Sequence, residues 1–287
     1  MAATATVKGM ALAAAAGLTF ALLNINLRLL TQELPPFQVQ FLRYALGLVV
    51  LGPWIWRAGL SAYRPQGVSG QLWRGAVHAS GLFLWFAALP HIPFANLTAI
   101  GFTSPLFVMV GAVIFLREKM FWQRWAAAGL GFAGVLVVVA PQLQAANGVY
   151  SLLMLASAPL FAASFLITKA MTRRDSPEVI VAWQSLTVSL FTLPAALWVW
   201  QPVSPAQWAL VVLCGALGTF GHFLLTTAFK LADISSAQPV KFLDLIWAVA
   251  LGYLVFAEVP ERATLVGAAV IFVATSWIAR VEAGRRA

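Results

Sequence analysis

Gln238, Lys241 and Asp244 follow one another three residues apart inside an otherwise apolar stretch, Ile234 to Phe256. An amide, an amine and a carboxylate on successive helical turns can bind a polar solute, exchange a proton or pair with one another. In lipid they are costly. One charged side chain at mid-bilayer costs roughly 2.5 to 3.5 kcal/mol on insertion scales, so such residues face a bundle interior, a partner or a water-filled cavity. At 100° per residue, Ala237, Gln238, Lys241, Asp244, Leu245, Ala248 and Gly252 share one face, small or polar apart from Leu245. That face is expected to line a working cavity.

The 287 residues around it are 61% hydrophobic and only 9% charged, with a mean hydropathy of +0.87, far more apolar than a soluble domain of this length. Ten apolar segments can be read, near 8–30, 37–57, 72–90, 93–116, 122–140, 148–171, 178–200, 206–230, 234–257 and 262–280, each about the 20 residues that a spanning helix needs. The expected fold class is an all-α integral membrane protein with ten transmembrane helices. The loops are too short to hold a soluble domain. The net charge of +9 does not point to nucleic acid, because the basic residues sit at the ends of the apolar segments. Cys214 is the only cysteine, which excludes an internal disulfide and a cysteine metal cluster.

If the N-terminus is cytoplasmic, that side collects Lys8, Arg57, Arg64, Arg74, Arg117, Lys119, Arg124, Lys169, Arg173, Arg174, Lys230, Arg280, Arg285 and Arg286, most of the 18 basic residues. The opposite loops Pro141 to Asn147 and Gln201 to Pro205 carry no charge. Positive residues favour the cytoplasmic side, so both termini are expected there.

The chain also resembles itself. At an offset of 141, Phe20-Ala21 matches Phe161-Ala162, Thr31 matches Thr172, Pro36 matches Pro177, Pro53 matches Pro194, and Arg28 faces Lys169. At 140, Gly75-Ala76 matches Gly215-Ala216, Gly81 matches Gly221, Phe83-Leu84 matches Phe223-Leu224, Ala88 matches Ala228 and Glu118 matches Glu258; at 138, Arg124 and Gly129 match Arg262 and Gly267. Two repeats, 8–140 and 148–280, follow. Five spans each is an odd number, which turns the second repeat upside down relative to the first, the plan of many secondary transporters. The repeat also argues that the first segment, Lys8 followed by Gly9 to Leu23, is a mature helix rather than a signal peptide, since its counterpart lies in mid-chain.

The two five-helix units, the stretch Gly101-Phe102-Thr103-Ser104-Pro105-Leu106-Phe107, and the helix ends Phe115-Leu116-Arg117-Glu118 and Phe256-Ala257-Glu258-Val259-Pro260 resemble the EamA-type branch of the drug/metabolite transporter superfamily. The resemblance covers about residues 8–280. Phe41-Leu42-Arg43 and Leu245-Ile246-Trp247-Ala248 look most like bacterial carriers of amino acids and their derivatives, including S-adenosylmethionine. The resemblance implies a ten-helix inner-membrane carrier with a cavity lined by its first, third, fourth, sixth, eighth and ninth helices.

Polar stripes on those six segments supply the remaining candidates. They are Asn24 and Arg28 on the first, His78 and Trp85 on the third, Asn96, Thr103 and Phe107 on the fourth, Phe161 and Ser164 on the sixth, and Thr219 and His222 on the eighth. With Gln238, Lys241 and Asp244 they form the expected substrate-binding set. Each has a plainer reading: Ser and Thr bond back to the helix backbone, Arg28 snorkels, and Lys241 with Asp244 forms a permanent ion pair. Asp244, His222 and His78 are the candidate proton-coupling groups. Arg43 suits an ion pair as well as a ligand contact. Glu118 and Glu258 suit structural roles beside nearby positive charge. Pro105 and Pro159 are candidate bending points. The fifth and tenth segments carry small residues that suit close packing or a homodimer contact.

No His-Glu-x-x-His pair, Gly-x-Ser-x-Gly elbow or phosphate-binding loop is present. The expected function is therefore a secondary carrier of a small organic metabolite, best an amino acid or derivative, with no catalytic residues, cofactor or metal. A channel, a structural membrane protein and, further off, an intramembrane enzyme are the alternatives.

Overall fold

The computed structural model describes residues 2–92, 97, 100–101, 103–118, 121–143, 148–241, 243–257, 259 and 262–284. Among them there are helices and turns and no strand. The helices are α1 (Ala2–Glu33), α2 (Pro36–Ala58), α3 (Val68–Ala88), α4 (Ser104–Leu116), α5 (Trp122–Leu143), α6 (Gly148–Met171), α7 (Pro177–Trp198), α8 (Pro205–Leu231), α9 (Ile234–Lys241), α10 (Leu243–Phe256) and α11 (Arg262–Gly284). Five of the described stretches are long and apolar enough to cross a membrane: Ala5–Glu33, Pro36–Ala58, Gly148–Met171, Pro177–Trp198 and Pro205–Leu231. Large apolar side chains cover their outer surfaces, with Trp56 and Trp198 86% and 90% exposed, as aromatic rings at a membrane interface are.

Helix starts are chemically alike in the two halves. The repeat partners Pro36 and Pro177 both lie in a first turn, where the missing N–H costs nothing. Ser204 opens α8 with a capping box, its hydroxyl facing Gln207 N while the Gln207 side chain accepts from Ser204 N. Pro105 likewise falls in the first turn of α4, whereas Pro159 lies inside α6.

Chain ends and turns gather in two groups. In one, Gln38 exchanges hydrogen bonds with the backbone of Gln201, Gln207 donates to Glu33, and His91 stacks on Tyr150 at 3.9 Å. In the other, Asp175 accepts from Gln66 N and Gln71 Nε2, Trp183 donates to Tyr63 O, and Lys169 donates to Phe229 O and Ala232 O. Glu118 joins this second group by accepting from Ile234 N, Ser235 N and Ser235 Oγ, so it caps α9. The 23 residues of α2 separate the groups by about 35 Å.

Packing between the halves is symmetric. Helix α1 packs on α8 as α6 packs on α3; α2 meets α8 as α7 meets α3; α4 meets α6 as α10 meets α1; α2 packs on α7, and α5 on α11. The repeat glycines sit at these crossings. A side chain at Gly75 would collide with Thr187, and one at Gly215 with Leu46. One at Gly81 would press on Phe161, and one at Gly221 on Phe20. Thr187 and Leu46, and Phe161 and Phe20, are themselves repeat partners at an offset of 141. Each close approach thus has its twin in the other half.

Candidate functional site

The small residues that let the helices cross closely leave a cavity of about 190 Å3 between the halves, many times the roughly 10–15 Å3 that one water needs. Gly17, Phe20 and Asn24 of α1, Arg43 and Tyr44 of α2, His78 and Trp85 of α3, and Gly101, Ser104 and Pro105 line it from the first half. Phe161 and Phe165 of α6, His222 of α8, and Gln238, Lys241 and Asp244 line it from the second.

A hydrogen-bonded chain runs along one wall. Arg74, 2% exposed, spends its guanidinium on neutral acceptors of the second half: Nε on Thr168 Oγ1, Nη1 on Ile180 O, and Nη2 on Gln184 Oε1 at 2.6 Å. That last bond assigns the Gln184 amide, turning its Nε2 toward Nε2 of His222 at 3.3 Å. Arg43 Nη2 approaches the same ring nitrogen at 3.4 Å. Facing two donors, His222 Nε2 serves as acceptor. The Tyr44 hydroxyl lies 2.9 Å from His78 Nε2 and 3.2 Å from Arg43 Nη1, and His78 Nδ1 lies 3.1 Å from Ser164 Oγ. With Arg43 donating to Tyr44, the hydroxyl donates to His78, whose remaining N–H points at Ser164. Two imidazoles 5.5 Å apart are thereby locked in place by residues from both halves.

Lys241 and Asp244 take a different arrangement. Lys241 Nζ lies 4.8 Å over the Phe165 ring, a cation–π contact. The Asp244 carboxylate rests against Gly17, where even a methyl group would overlap it. Among the described residues no ion pair joins them, so amine and carboxylate both front the cavity.

Of the residues singled out by sequence, Asn24, His78, Trp85, Phe161, His222, Gln238, Lys241 and Asp244 line the cavity. Ser164 lies behind His78. Thr219 borders a smaller void of about 10 Å3 with Arg43, Tyr44, Ser185, Gly218 and His222. Thr103 is buried and donates to Ile100 O; Phe107 is 45% exposed, away from the cavity. Arg28 sits 4.6 Å over Phe256, outside the lining. Asn96 lies outside the described residues. The second segment was not expected at the cavity, yet it supplies Arg43 and Tyr44. Arg43 was legible as a charge seven residues inside an apolar segment; no pattern marked Tyr44.

The chain matches the EamA-like transporter family twice, over residues 7–140 and 149–280. It is 29% identical over 255 residues to the S-adenosylmethionine uptake transporter of Rickettsia prowazekii (strain Madrid E), covering 89% of this chain and 86% of that one. It is 34% identical over 273 residues to the riboflavin transporter of Rhizobium johnstonii, covering 94% and 90%. With the pseudopaline exporter CntI of Pseudomonas aeruginosa it shares 26% identity over 280 residues, 96% and 97% of the two chains. A solved crystal structure has the same fold, with a TM-score of 0.76, 21% identity and 98% of each chain covered. Two family matches spanning nearly the whole chain, apolar helices of spanning length and a polar cavity between the halves lead to one conclusion: the chain is a membrane transporter rather than an enzyme, and it belongs to the EamA-like transporter family.

Proposed function

We propose that the protein is a secondary carrier of a small organic metabolite, an amino acid or derivative, working by alternating access. Two inverted repeats, 8–140 and 148–280, make ten crossings of the inner membrane with both termini cytoplasmic. The observation that carries this reading is the open pair: an amine held on Phe165 and a carboxylate held on Gly17, both fronting a cavity built from the two halves. The twofold pattern of helix contacts supports rocking of one half on the other. The relatives whose names specify S-adenosylmethionine, riboflavin and pseudopaline all move small metabolites. Asp244 is the proposed proton site, because its oxygens face the cavity whereas His222 Nε2 is engaged by donors.

Uptake into liposomes with saturation and counterflow separates a carrier from a channel. In that assay Lys241→Gln with Asp244→Asn is expected to insert and melt like the parent but to transport nothing. Full transport by the well-folded double variant would falsify the role of the pair. Single cysteines at Gln66 and Pro202, in a Cys214→Ala background, are expected to label from opposite sides of the membrane. Labelling from the same side contradicts the alternation of crossings on which the inverted plan rests.

A further inference from the structure

We infer, on the basis of the carrier reading above, that the transported solute bears a net negative charge, with its anionic group drawn to the Arg43 and Lys241 side of the cavity. Arg43 is a guanidinium in the cavity wall whose contacts among the described residues are all neutral: Tyr44 Oη, His222 Nε2 and the face of the Tyr44 ring at 4.4 Å. Its Nε is buried without a partner against Gly218, where a side chain would displace it. Arg74, fully buried, likewise bonds only neutral groups among the described residues. Lys241 rests on an aromatic ring. Against the two cations of the lining, Arg43 and Lys241, the described lining residues offer one carboxylate, Asp244.

The other described acids whose partners are known are occupied at the two ends of the bundle, Glu33 by Gln207, Glu118 by Ile234 and Ser235, and Asp175 by Gln66 and Gln71. Guanidinium keeps its proton in proteins, and an imidazole is neutral or positive, so neither histidine can reverse the balance. Buried charge inside a membrane protein calls for a counter-charge, and a low-dielectric wall focuses the potential into the cavity. A zwitterion would use one amine and one carboxylate and leave the excess positive charge in place. A solute with one more anionic than cationic group, such as an acidic amino acid derivative, removes it.

The potential can be read without transport. Gly101→Cys places a thiol in the cavity against only the flexible end of Met154, in a Cys214→Ala background. Its rates with anionic sulfonatoethyl and cationic trimethylammonioethyl methanethiosulfonate are measured in the full-length protein and divided by those of a free thiol in solution. The normalised anionic rate is expected to exceed the cationic one by about tenfold. Arg43→Gln is expected to lower the ratio several-fold and Asp244→Asn to raise it. A normalised ratio of one or below overturns the inference and leaves the carrier reading standing. Retention of the ratio in a protein that moves no solute in counterflow counts against the carrier reading alone. As a second measure, thermal stabilisation by glutamate or aspartate over glutamine or asparagine supports the inference, and the reverse preference overturns it.

Discussion

Where the second half carries Lys241 and Asp244, the first carries Gly101 and Ser104, at the same offset of 140 that pairs Gly75 with Gly215 and Gly81 with Gly221. Gly17, which makes room for the Asp244 carboxylate, has Ala158 as its counterpart at 141. Arg43 and Gln184 are also counterparts, and both reach Nε2 of His222. The partner of His222 is Leu82, and that of His78 is Gly218, the residue against which Arg43 lies. The halves therefore share what sets helix spacing and differ in the polar groups that line the cavity.

Three pairs of substitutions would break or sharpen that contrast. The largest effect is expected at Arg74, whose counterpart is Cys214. Arg74→Met leaves Thr168, Ile180 and Gln184 without their donor, at roughly 1–3 kcal/mol each, and folded protein should be lost in detergent melting. Cys214→Ala should cost only about 1 kcal/mol; equal losses at the two positions would mean that Arg74 is not a special fastening. A middle effect is expected at the scaffold pair: Gly75→Val and Gly215→Val should each destabilise by about 1–3 kcal/mol through overpacking. A cost confined to one of them would show that the crossings are not equivalent. The smallest effect on stability, paired with a clear effect on transport, is expected at Gly17→Ala, which displaces the Asp244 carboxylate. Ala158→Gly should leave transport rates almost unchanged, and similar transport by both variants would remove Gly17 from the site.

Much of this architecture was legible in the chain. Apolar runs of spanning length, prolines at matching helix starts and glycines at matching offsets are local features, and the same residues appear at helix starts and crossings in the folded protein. The Lys241 and Asp244 face was legible because charge is conspicuous in an apolar helix. Tyr44 was not, since one tyrosine in a membrane segment rich in aromatics carries no distinguishing period. Glu118 was expected to serve a structural role beside its positive neighbours, and the role it plays is to cap α9. Thr103 and Phe107 sat on a polar stripe, yet one bonds its own backbone and the other faces outward, because a stripe marks a direction around one helix and not what stands opposite.

By itself the sequence determined composition, periodicity and repetition, and through them an apolar helical bundle in two related halves, because lipid demands that every backbone polar group be satisfied within a helix. Tertiary structure alone decided which polar groups meet. Whether Lys241 closes on Asp244 depends on Phe165 and Gly17, residues some 75 and 225 positions away in the chain. Whether Arg43 lies in a wall or an ion pair depends on Gly218 and His222. All of those contacts but that of Lys241 with Phe165 join the two halves across the cavity, and a one-dimensional pattern holds no record of distance between segments that only packing brings together.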